Sequence, residues 1–291
     1  MSDLSTRLRA LGVAFTPDQL NGTRDLYAPL APTPEAVGAR ARRNFHYGRD
    51  DRHVLDVFAH PGKVALSPVV VFVHGGGFVQ GDKGKEGEPF YNNFGAWAVR
   101  EGFVGVTMTY RLAPAHGWPA GPEDIESAIH FLRQGLRAEG GDPDRIVLIG
   151  QSAGATHVAS WIARQGCAPG SPTPVAGAVL LSGIYDLALA GPSPMHDAYY
   201  GADRALHPQR STLSALAATS LPCLFTIGEL EPPLFQAQAA ALVAARWAAQ
   251  QRYPEMHYLP GHNHVSSIMQ LGSPEDDLGP VMAAFVRRVC A

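Results

Sequence analysis

The chain has 291 residues, of which 46% are hydrophobic and 17% are charged, and its formal net charge is −3. A net charge so close to zero argues against polyanionic partners, so we expect no binding of nucleic acid or of an anionic membrane surface. No apolar run approaches the ~20 residues that a membrane-spanning helix needs, and the N-terminus lacks the continuous apolar stretch of a secretion signal.

The three cysteines, Cys167, Cys223 and Cys290, cannot all pair with one another, and their spacing is typical of neither a metal site nor a redox site. We therefore expect reduced thiols in a cytoplasmic protein. Cys223 lies within an apolar run and is expected to be a small buried residue.

The N-terminal part of the chain precedes the first predicted strand. Residues 4–43 contain Pro29, Pro32 and Pro34, followed by a helix-like run rich in alanine at 36–41. We expect residues 1–43 to form an N-terminal arm or cap that folds over the pocket.

After this arm, strand and helix signals alternate along the chain. The predicted strands are residues 44–47, 54–59, 69–73, 103–109, 146–149, 178–181, 224–227 and 256–259, and the clearest predicted helices begin at 122, 236 and 281. Buried strands separated by helices predict a single α/β domain over residues 1–291, with a mostly parallel sheet covered by helices on both faces. Ligands of such sheets bind at the carboxyl ends of the strands.

The third predicted strand runs directly into His-Gly-Gly-Gly-Phe at residues 74–78. Three glycines after a β-branched run indicate a loop whose backbone approaches a ligand closely. The N–H groups of Gly76 and Gly77, joined by that of Ala153, are suited to hold an oxyanion. A phosphate loop is excluded because no Gly-Lys-Ser or Gly-Lys-Thr follows.

The fifth predicted strand runs into Gly-Gln-Ser-Ala-Gly at residues 150–154, and an apolar helix pattern follows. A serine between two glycines at a strand-to-helix turn is typical of a nucleophile elbow, which exposes the hydroxyl oxygen. Ser152 is therefore the predicted nucleophile.

Two further segments have less specific patterns. Residues 185–219 are longer than a bare crossover between two strands, so they are a possible cap insertion beside an acyl or aryl pocket, with Met195, Tyr199, Tyr200 and Leu206 as its apolar side chains. Residues 81–89 combine lysines and glutamates, and we expect a solvated loop there.

A carboxylate that orients a catalytic histidine should lie between the serine and that histidine in chain order. Glu229 and Glu231 both follow the seventh predicted strand. Glu231 is preferred, since it lies deeper in the loop and precedes a proline, and Glu229 is the alternative.

The general base should be a histidine, whose unperturbed pKa suits proton transfer at neutral pH. His264 is preferred because it ends the loop after the last predicted strand and precedes a predicted helix, and His262 is the alternative. A metal site that uses both histidines lacks further ligands, because the sequence has neither a Cys pair nor a His-Glu-x-x-His helix. We expect no metal and no cofactor.

The chain resembles α/β-hydrolases of the hormone-sensitive-lipase type, and the resemblance runs from about residue 45 to the C-terminus. It is carried by the His-Gly-Gly-Gly-Phe motif at 74–78 and by Tyr-Arg-Leu-Ala-Pro at 110–114. Gln151, Glu231 in place of aspartate, and Gly-His-Asn-His at 261–264 differ from that group and, with Ser-Gly-Ile-Tyr-Asp-Leu at 182–187, are similar to its arylformamidase-like and feruloyl-esterase-like neighbours.

The resemblance implies an α/β-hydrolase fold, with Ser152 as nucleophile, His264 as base, Glu231 as the orienting acid, and oxyanion donors at Gly76, Gly77 and Ala153. The predicted function is that of a serine carboxylesterase that acts on small esters through an acyl-enzyme and exists as a possible homo-oligomer. An arylformamidase that cleaves a formamide with the same triad is the alternative. A non-catalytic binding protein on a hydrolase fold is a more remote one.

Overall fold

A computed structural model of the protein describes residues 3–62, 65–165 and 173–291. Its centre is one eight-stranded sheet. The strands are β1 (Arg40–His46), β2 (Val54–Ala59), β3 (Ser67–Val73), β4 (Val104–Met108), β5 (Gly141–Gln151), β6 (Gly177–Leu181), β7 (Cys223–Leu230) and β8 (Glu255–Asn263). Their order in the sheet is β1-β2-β4-β3-β5-β6-β7-β8.

Strands β3 to β8 are parallel to one another, and β2 pairs antiparallel with both β1 and β4. Helices cover the connections. They are α1 (Asp3–Ala10), α2 (Pro17–Tyr27), α3 (Asn92–Arg100), α4 (Ala120–Gly135), α5 (Ala153–Arg164), α6 (Leu187–Ala190), α7 (Pro194–Tyr200), α8 (His207–Arg210), α9 (Leu213–Ala218), α10 (Pro233–Gln250), α11 (Ser266–Met269) and α12 (Gly279–Val289). The prediction of a mostly parallel sheet flanked by helices is confirmed.

Each face of the sheet has its own hydrophobic core. Val69 and Val71 of β3 point to one face, where they join apolar residues of α4 and α5. Val70 and Phe72 point to the other face, where residues of α3 and α12 cover them. Because side chains alternate between the two faces of a strand, a strand buried on both sides needs an uninterrupted apolar run.

The parallel strands place the predicted functional segments at one edge of the sheet. The His-Gly-Gly-Gly-Phe segment at 74–78, called the glycine loop below, follows β3, and Ser152 follows β5. The predicted carboxylates and histidines lie at the ends of β7 and β8: Glu229 and Glu231, and His262 and His264. Segments far apart in sequence therefore meet at the carboxyl ends of the strands.

The predicted boundary of the N-terminal arm at Arg43 is wrong, because β1 begins at Arg40. A 3₁₀ turn, Glu35–Val37, replaces the predicted helix over 36–41 and ends at Gly38, which has a φ of 68°. Residues of β1 then alternate in exposure and pair with β2, from Arg40 opposite Ala59 onwards. Pairing with β2 outweighs the weak helical preference of this short alanine-containing segment.

The prediction that residues 81–89 form a solvated loop is wrong at Lys83, which is buried. Its Nζ lies 2.8 Å from Oδ1 of Asp56, a buried residue of β2. Arg43 Nη1 donates to the other oxygen of Asp56 over 2.8 Å. A buried lysine requires such a partner, and the pair ties the segment after the glycine loop to the sheet.

In the part of the chain that the structure describes, no helix is both long and apolar enough to cross a membrane. The same ranges contain no group of three or more side chains placed to hold a metal ion. Cys223 and Cys290 are both buried, whereas Cys167 lies outside the described residues.

Candidate active site

Ser152 lies between the last residue of β5 and the first residue of α5, in a backbone conformation that residues other than glycine rarely adopt. Its φ is 55° and its ψ is −119°. A side chain on Gly154 would overlap the carbonyl oxygen of Val73, and a Cβ on Gly150 would lie 2.5 Å from the carbonyl oxygen of Gly154. Both glycines of the motif are therefore required by close packing of the turn, which holds the serine in its strained position.

The structure brings Ser152, His264 and Glu231 into one hydrogen-bonded row. The serine Oγ lies 2.8 Å from Nε2 of His264, and Nδ1 of the same ring lies 2.6 Å from Oε2 of Glu231. His264 and Glu231 are each only 1% exposed. This arrangement can move the hydroxyl proton to the imidazole while the carboxylate orients the ring and stabilises its charged form.

The second oxygen of Glu231 has a partner that was not predicted from the sequence. Ser182 Oγ donates a hydrogen bond to Oε1 of Glu231. Ser182 is the first residue after β6 and has a φ of 52°, so it is also in a conformation unusual for a side-chain-bearing residue. The only signal in the sequence was the Ser-Gly-Ile-Tyr-Asp-Leu segment after a strand, which points to a loop but not to this contact.

The alternative carboxylate, Glu229, binds elsewhere. Its two oxygens accept hydrogen bonds from Nη1 and Nη2 of Arg9, each over 2.6 Å, and Oε2 also accepts one from the N–H of Gly261 over 2.7 Å. The hydrogen bonds from Arg9 and Gly261 lower the pKa of Glu229. Glu229 therefore anchors the N-terminal arm.

The alternative histidine, His262, also lies apart from Ser152. Its Nδ1 is 3.1 Å from Oγ of Ser266, and its Nε2 is 3.5 Å from Oδ2 of Asp277. Burial lowers the pKa of His262. Of the two histidines, His264 is thus the one in hydrogen-bond contact with Ser152.

Side chains from three parts of the chain hold the Gly-His-Asn-His segment at 261–264, called the histidine loop below, in place. Asn263 Oδ1 accepts hydrogen bonds from the N–H groups of Val265 and Ser266, at 3.2 and 3.0 Å, and its Nδ2 donates to Thr23 Oγ1 in α2 over 2.8 Å. Gln151, the residue before the serine, donates from Nε2 to the carbonyl oxygen of His264 over 2.9 Å. These contacts connect the loop to α2 and to β5, and neither role, that of Asn263 or that of Gln151, was predicted from the sequence.

The glycine loop next to Ser152 is a tight turn. The N–H groups of Val79 and Gln80 both donate to the carbonyl oxygen of Gly76, at 3.3 and 3.2 Å. Gly76 and Gly77 have positive φ values of 126° and 59°, and a side chain on Gly76 would overlap the carbonyl oxygen of Gln80. The N–H of Ala153 is the first of α5 and has no acceptor within that helix.

A buried pair of aromatic rings, His74 and Tyr110, packs against the glycine loop. His74 stacks on Tyr110 with 4.3 Å between ring centroids, and the tyrosine hydroxyl donates to the carbonyl oxygen of His74 over 2.8 Å. Burial lowers the pKa of His74 to about 4, so the ring is neutral near pH 7. Arg52 adds a hydrogen bond from Nη2 to the carbonyl oxygen of Gly81 over 2.9 Å.

Apolar side chains lie around the hydrogen-bonded residues Ser152, His264 and Glu231. Phe235 in α10 and Phe15 in the N-terminal arm lie 4.0 and 5.0 Å from the ring of His264, measured between centroids. Met195 in α7 contacts Gly77 so closely that a side chain on the glycine would overlap its sulfur. Phe78 is buried and stacks on Tyr199 of α7 with 4.7 Å between centroids, so it packs the end of the glycine loop against α7.

The chain is similar to a protein family and to several known proteins. The family model described as BD-FAE matches residues 55–168. Esterase LipQ of Mycobacterium tuberculosis is 28% identical over 82% of this chain and 60% of its own length, and Esterase LipC of the same organism is 34% identical over 53% of this chain and 41% of its own length. The chain thus spans less than two thirds of either relative.

Solved structures match over nearly the whole chain. Esterase B from Lactobacillus rhamnosis has a TM-score of 0.76 at 18% identity, covering 100% of this chain and 97% of its own. An esterase from the bacterial hormone-sensitive lipase family has a TM-score of 0.68 at 23% identity, covering 98% and 95%. At these identities the likeness shows the fold, and the predicted α/β-hydrolase fold is confirmed. The chain therefore has the α/β-hydrolase fold, and the matched relatives named above are esterases.

Proposed function

We propose that the protein is a serine carboxylesterase that hydrolyses small carboxylic esters through an acyl-enzyme. The observation that carries this proposal is the row of hydrogen bonds from Ser152 through His264 to Glu231. A nucleophile, a base in contact with it and a carboxylate that orients the base form the catalytic unit of serine hydrolases. The esterase names of the matched relatives support an ester as the substrate.

In the first half of the proposed reaction, Ser152 Oγ forms a bond to the carbonyl carbon of the ester while Nε2 of His264 takes the hydroxyl proton. The carbonyl oxygen becomes an oxyanion, which the N–H groups of Gly76, Gly77 and Ala153 stabilise. The bond between the carbonyl carbon and the alcohol oxygen then breaks. His264 gives its proton to that oxygen, and the alcohol leaves.

In the second half, a water molecule replaces the alcohol. His264 takes one proton from the water, and the resulting hydroxide forms a bond to the acyl carbon. The bond to Ser152 Oγ breaks, the serine regains its proton from His264, and the carboxylic acid leaves. Glu231 keeps its charge throughout, since its role is to hold the imidazole and stabilise the protonated ring.

Ser152→Ala tests the proposal. Removal of the nucleophile should lower kcat for p-nitrophenyl butyrate by at least ~10³-fold, because the remaining groups can only assist attack by water. The hydrolysis rate of the purified variant is compared with that of the wild type, and circular dichroism shows whether both have the same fold. Turnover near the wild-type rate would refute the assignment of Ser152.

Labelling with a fluorophosphonate separates an enzyme from a binding protein that reuses the hydrolase fold. The wild type should form a covalent adduct at Ser152, and Ser152→Ala should form none, because only an activated serine attacks the phosphorus. Ser160, which lies in α5 and is buried, supplies a matched control, so Ser160→Ala should label like the wild type. An unlabelled wild type would exclude the proposed mechanism.

A further inference from the structure

We propose that Phe15 and Phe235 form a subsite for an aromatic ring on the alcohol part of the ester. This proposal rests on the proposed function and adds a substrate class to it: esters of neutral arylmethyl or similar aromatic alcohols. The two phenylalanines are far apart in sequence: Phe15 belongs to the segment between α1 and α2, and Phe235 to the first turn of α10.

The position of the two rings relative to His264 identifies the part of the substrate that they would contact. Nε2 of His264 delivers a proton to the alcohol oxygen when the ester bond breaks, so the alcohol must lie beside the imidazole. The Phe235 ring lies 4.0 Å from the imidazole centroid with an interplanar angle of 33°, and the Phe15 ring lies 5.0 Å away with an angle of 74°. Both rings therefore border the imidazole that supplies the proton to the alcohol.

The exposure of Phe15 leaves part of its ring available for a ligand. His264 is only 1% exposed, whereas Phe15, which covers it, is 49% exposed. Aromatic rings pair in edge-to-face or offset arrangements with centroids 4.5–7 Å apart, and such pairs add to the effect of apolar contact alone. A third ring on the open side of Phe15 would gain this interaction.

The arm holds Phe15 in a defined position. Two apolar residues of α1, Leu4 and Leu8, are buried in the core. The ion pair of Arg9 with Glu229 lies at the end of α1, and α2 begins at Pro17, two residues after Phe15. Thr16 Oγ1 accepts a hydrogen bond from the N–H of Gln19 over 3.2 Å. The chain is thus anchored on both sides of Phe15 before a substrate binds, which lowers the entropic cost of recognition.

The ion pair that anchors the arm leaves neither of its charges unpaired. Arg9 and Glu229 bind each other in a bidentate pair, with N–O distances of 2.6 Å for both hydrogen bonds. Each charge therefore has its partner within the protein, and neither is left to recognise a charged group on the alcohol.

The test compares two butyrate esters that share the acyl group and have alcohols of similar size and acidity, benzyl butyrate and cyclohexylmethyl butyrate. The wild type should have the higher kcat/KM for the benzyl ester. Phe15→Leu keeps an apolar side chain but removes the ring, so it should lower the benzyl-to-cyclohexylmethyl ratio of kcat/KM by roughly two- to tenfold. Trp247→Ala is the matched control.

Trp247 is an exposed aromatic residue of α10, 54% exposed, and lies about 18 Å along the helix from Phe235. Its substitution should leave the ratio unchanged. Arg9→Gln, which removes the ion pair to Glu229, should shift the ratio towards the Phe15→Leu value, because the arm then holds the ring less firmly.

The outcomes distinguish the subsite from the esterase proposal. A wild type that hydrolyses neither ester nor p-nitrophenyl butyrate would overturn both. A wild type that hydrolyses both esters, with a ratio that Phe15→Leu leaves unchanged, would overturn only the aromatic subsite. Equal losses for both esters in Phe15→Leu would also overturn it, since they indicate a general apolar contact.

Discussion

At the scale of single residues, Glu229 and Glu231 differ in what they bind although only one residue separates them. Glu231 is 1% exposed and contacts both His264 and Ser182, while Glu229 is partly exposed and binds Arg9. The strand β7 ends at Leu230, so the chain can turn at Glu231 and the alternation of side chains along a strand no longer applies. The two carboxylates therefore point to different parts of the molecule.

Substitution of the two glutamates by glutamine should separate their roles. Glu231→Gln keeps the shape but removes the charge that stabilises the protonated imidazole, so kcat for p-nitrophenyl acetate should fall by roughly 10³- to 10⁴-fold. Glu229→Gln should change kcat for this small ester by less than about threefold, because Glu229 contacts the arm and not the imidazole. Initial rates of the two purified variants give kcat for each. A larger loss of kcat in Glu229→Gln than in Glu231→Gln would assign the proposed orienting role to Glu229.

At the scale of elements, the N-terminal arm joins the core and the candidate site. Helix α1 contributes Leu4 and Leu8 to the core on one face of the sheet, and α2 holds the histidine loop through the hydrogen bond of Asn263 to Thr23. Gly261 shows how closely the arm approaches β8, since a Cβ there would lie 2.6 Å from Oγ of Ser5. The arm is thus part of the folded unit as well as a wall of the proposed subsite.

Two substitutions in the arm should separate its contribution to stability from its contribution to binding. Leu8 is 1% exposed, so Leu8→Ala should lower the free energy of unfolding by about 2–4 kcal/mol through lost apolar contact and the cavity left behind. Phe15→Ala, at a half-exposed position, should cost less than about 1.5 kcal/mol. Urea unfolding followed by fluorescence measures both, and equal losses would contradict the distinction.

At the scale of the whole molecule, two neutral histidines are buried between the sheet and the loops at its carboxyl edge. His74 lies under the glycine loop, and His157 of α5 is enclosed by the rings of Phe78, Tyr110 and Tyr199, at 5.3, 4.5 and 5.0 Å. Burial lowers the pKa of His74 to about 4 and that of His157 to about 3. Neither ring gains a proton in the folded protein at moderately acidic pH.

This burial predicts a loss of stability in mild acid. In the unfolded chain both histidines take up a proton as the pH falls through about 6.5, whereas in the folded chain they stay neutral. The free energy of unfolding should therefore decrease below pH 6.5 by up to about 1.4 kcal/mol per pH unit for each histidine. The full stability is present above pH 6.5.

His157→Phe removes one of these two titrating groups and keeps an aromatic ring at the position. Its free energy of unfolding should depend less on pH between 7.0 and 5.5 than that of the wild type, with the slope reduced by up to about 1.4 kcal/mol per pH unit. Urea unfolding at several pH values gives both slopes, and identical slopes would show that His157 titrates normally in the folded protein.

The sequence by itself determined the fold class and the position of the serine. The β-branched run at 69–73, the glycines around Ser152 and the alternation of strands with helices are local patterns whose causes lie within a few residues: side-chain alternation, close packing at a turn, and helix periodicity. The first strand was placed four residues late, because Arg40 and its neighbours become a strand only by pairing with β2.

Only the tertiary structure decided which side chains meet at the carboxyl edge of the sheet. The preference for Glu231 over Glu229 and for His264 over His262 depended on positions in loops, where no periodicity applies. Ser182 and Gln151 contact the candidate site through hydrogen bonds across 49 and 113 residues of sequence, and Phe15 contacts His264 across 249. Thr23 of α2 holds the loop before His264 through its hydrogen bond with Asn263, across 240 residues. Contacts of such separation depend on how strands pair and helices pack, which a local pattern does not encode.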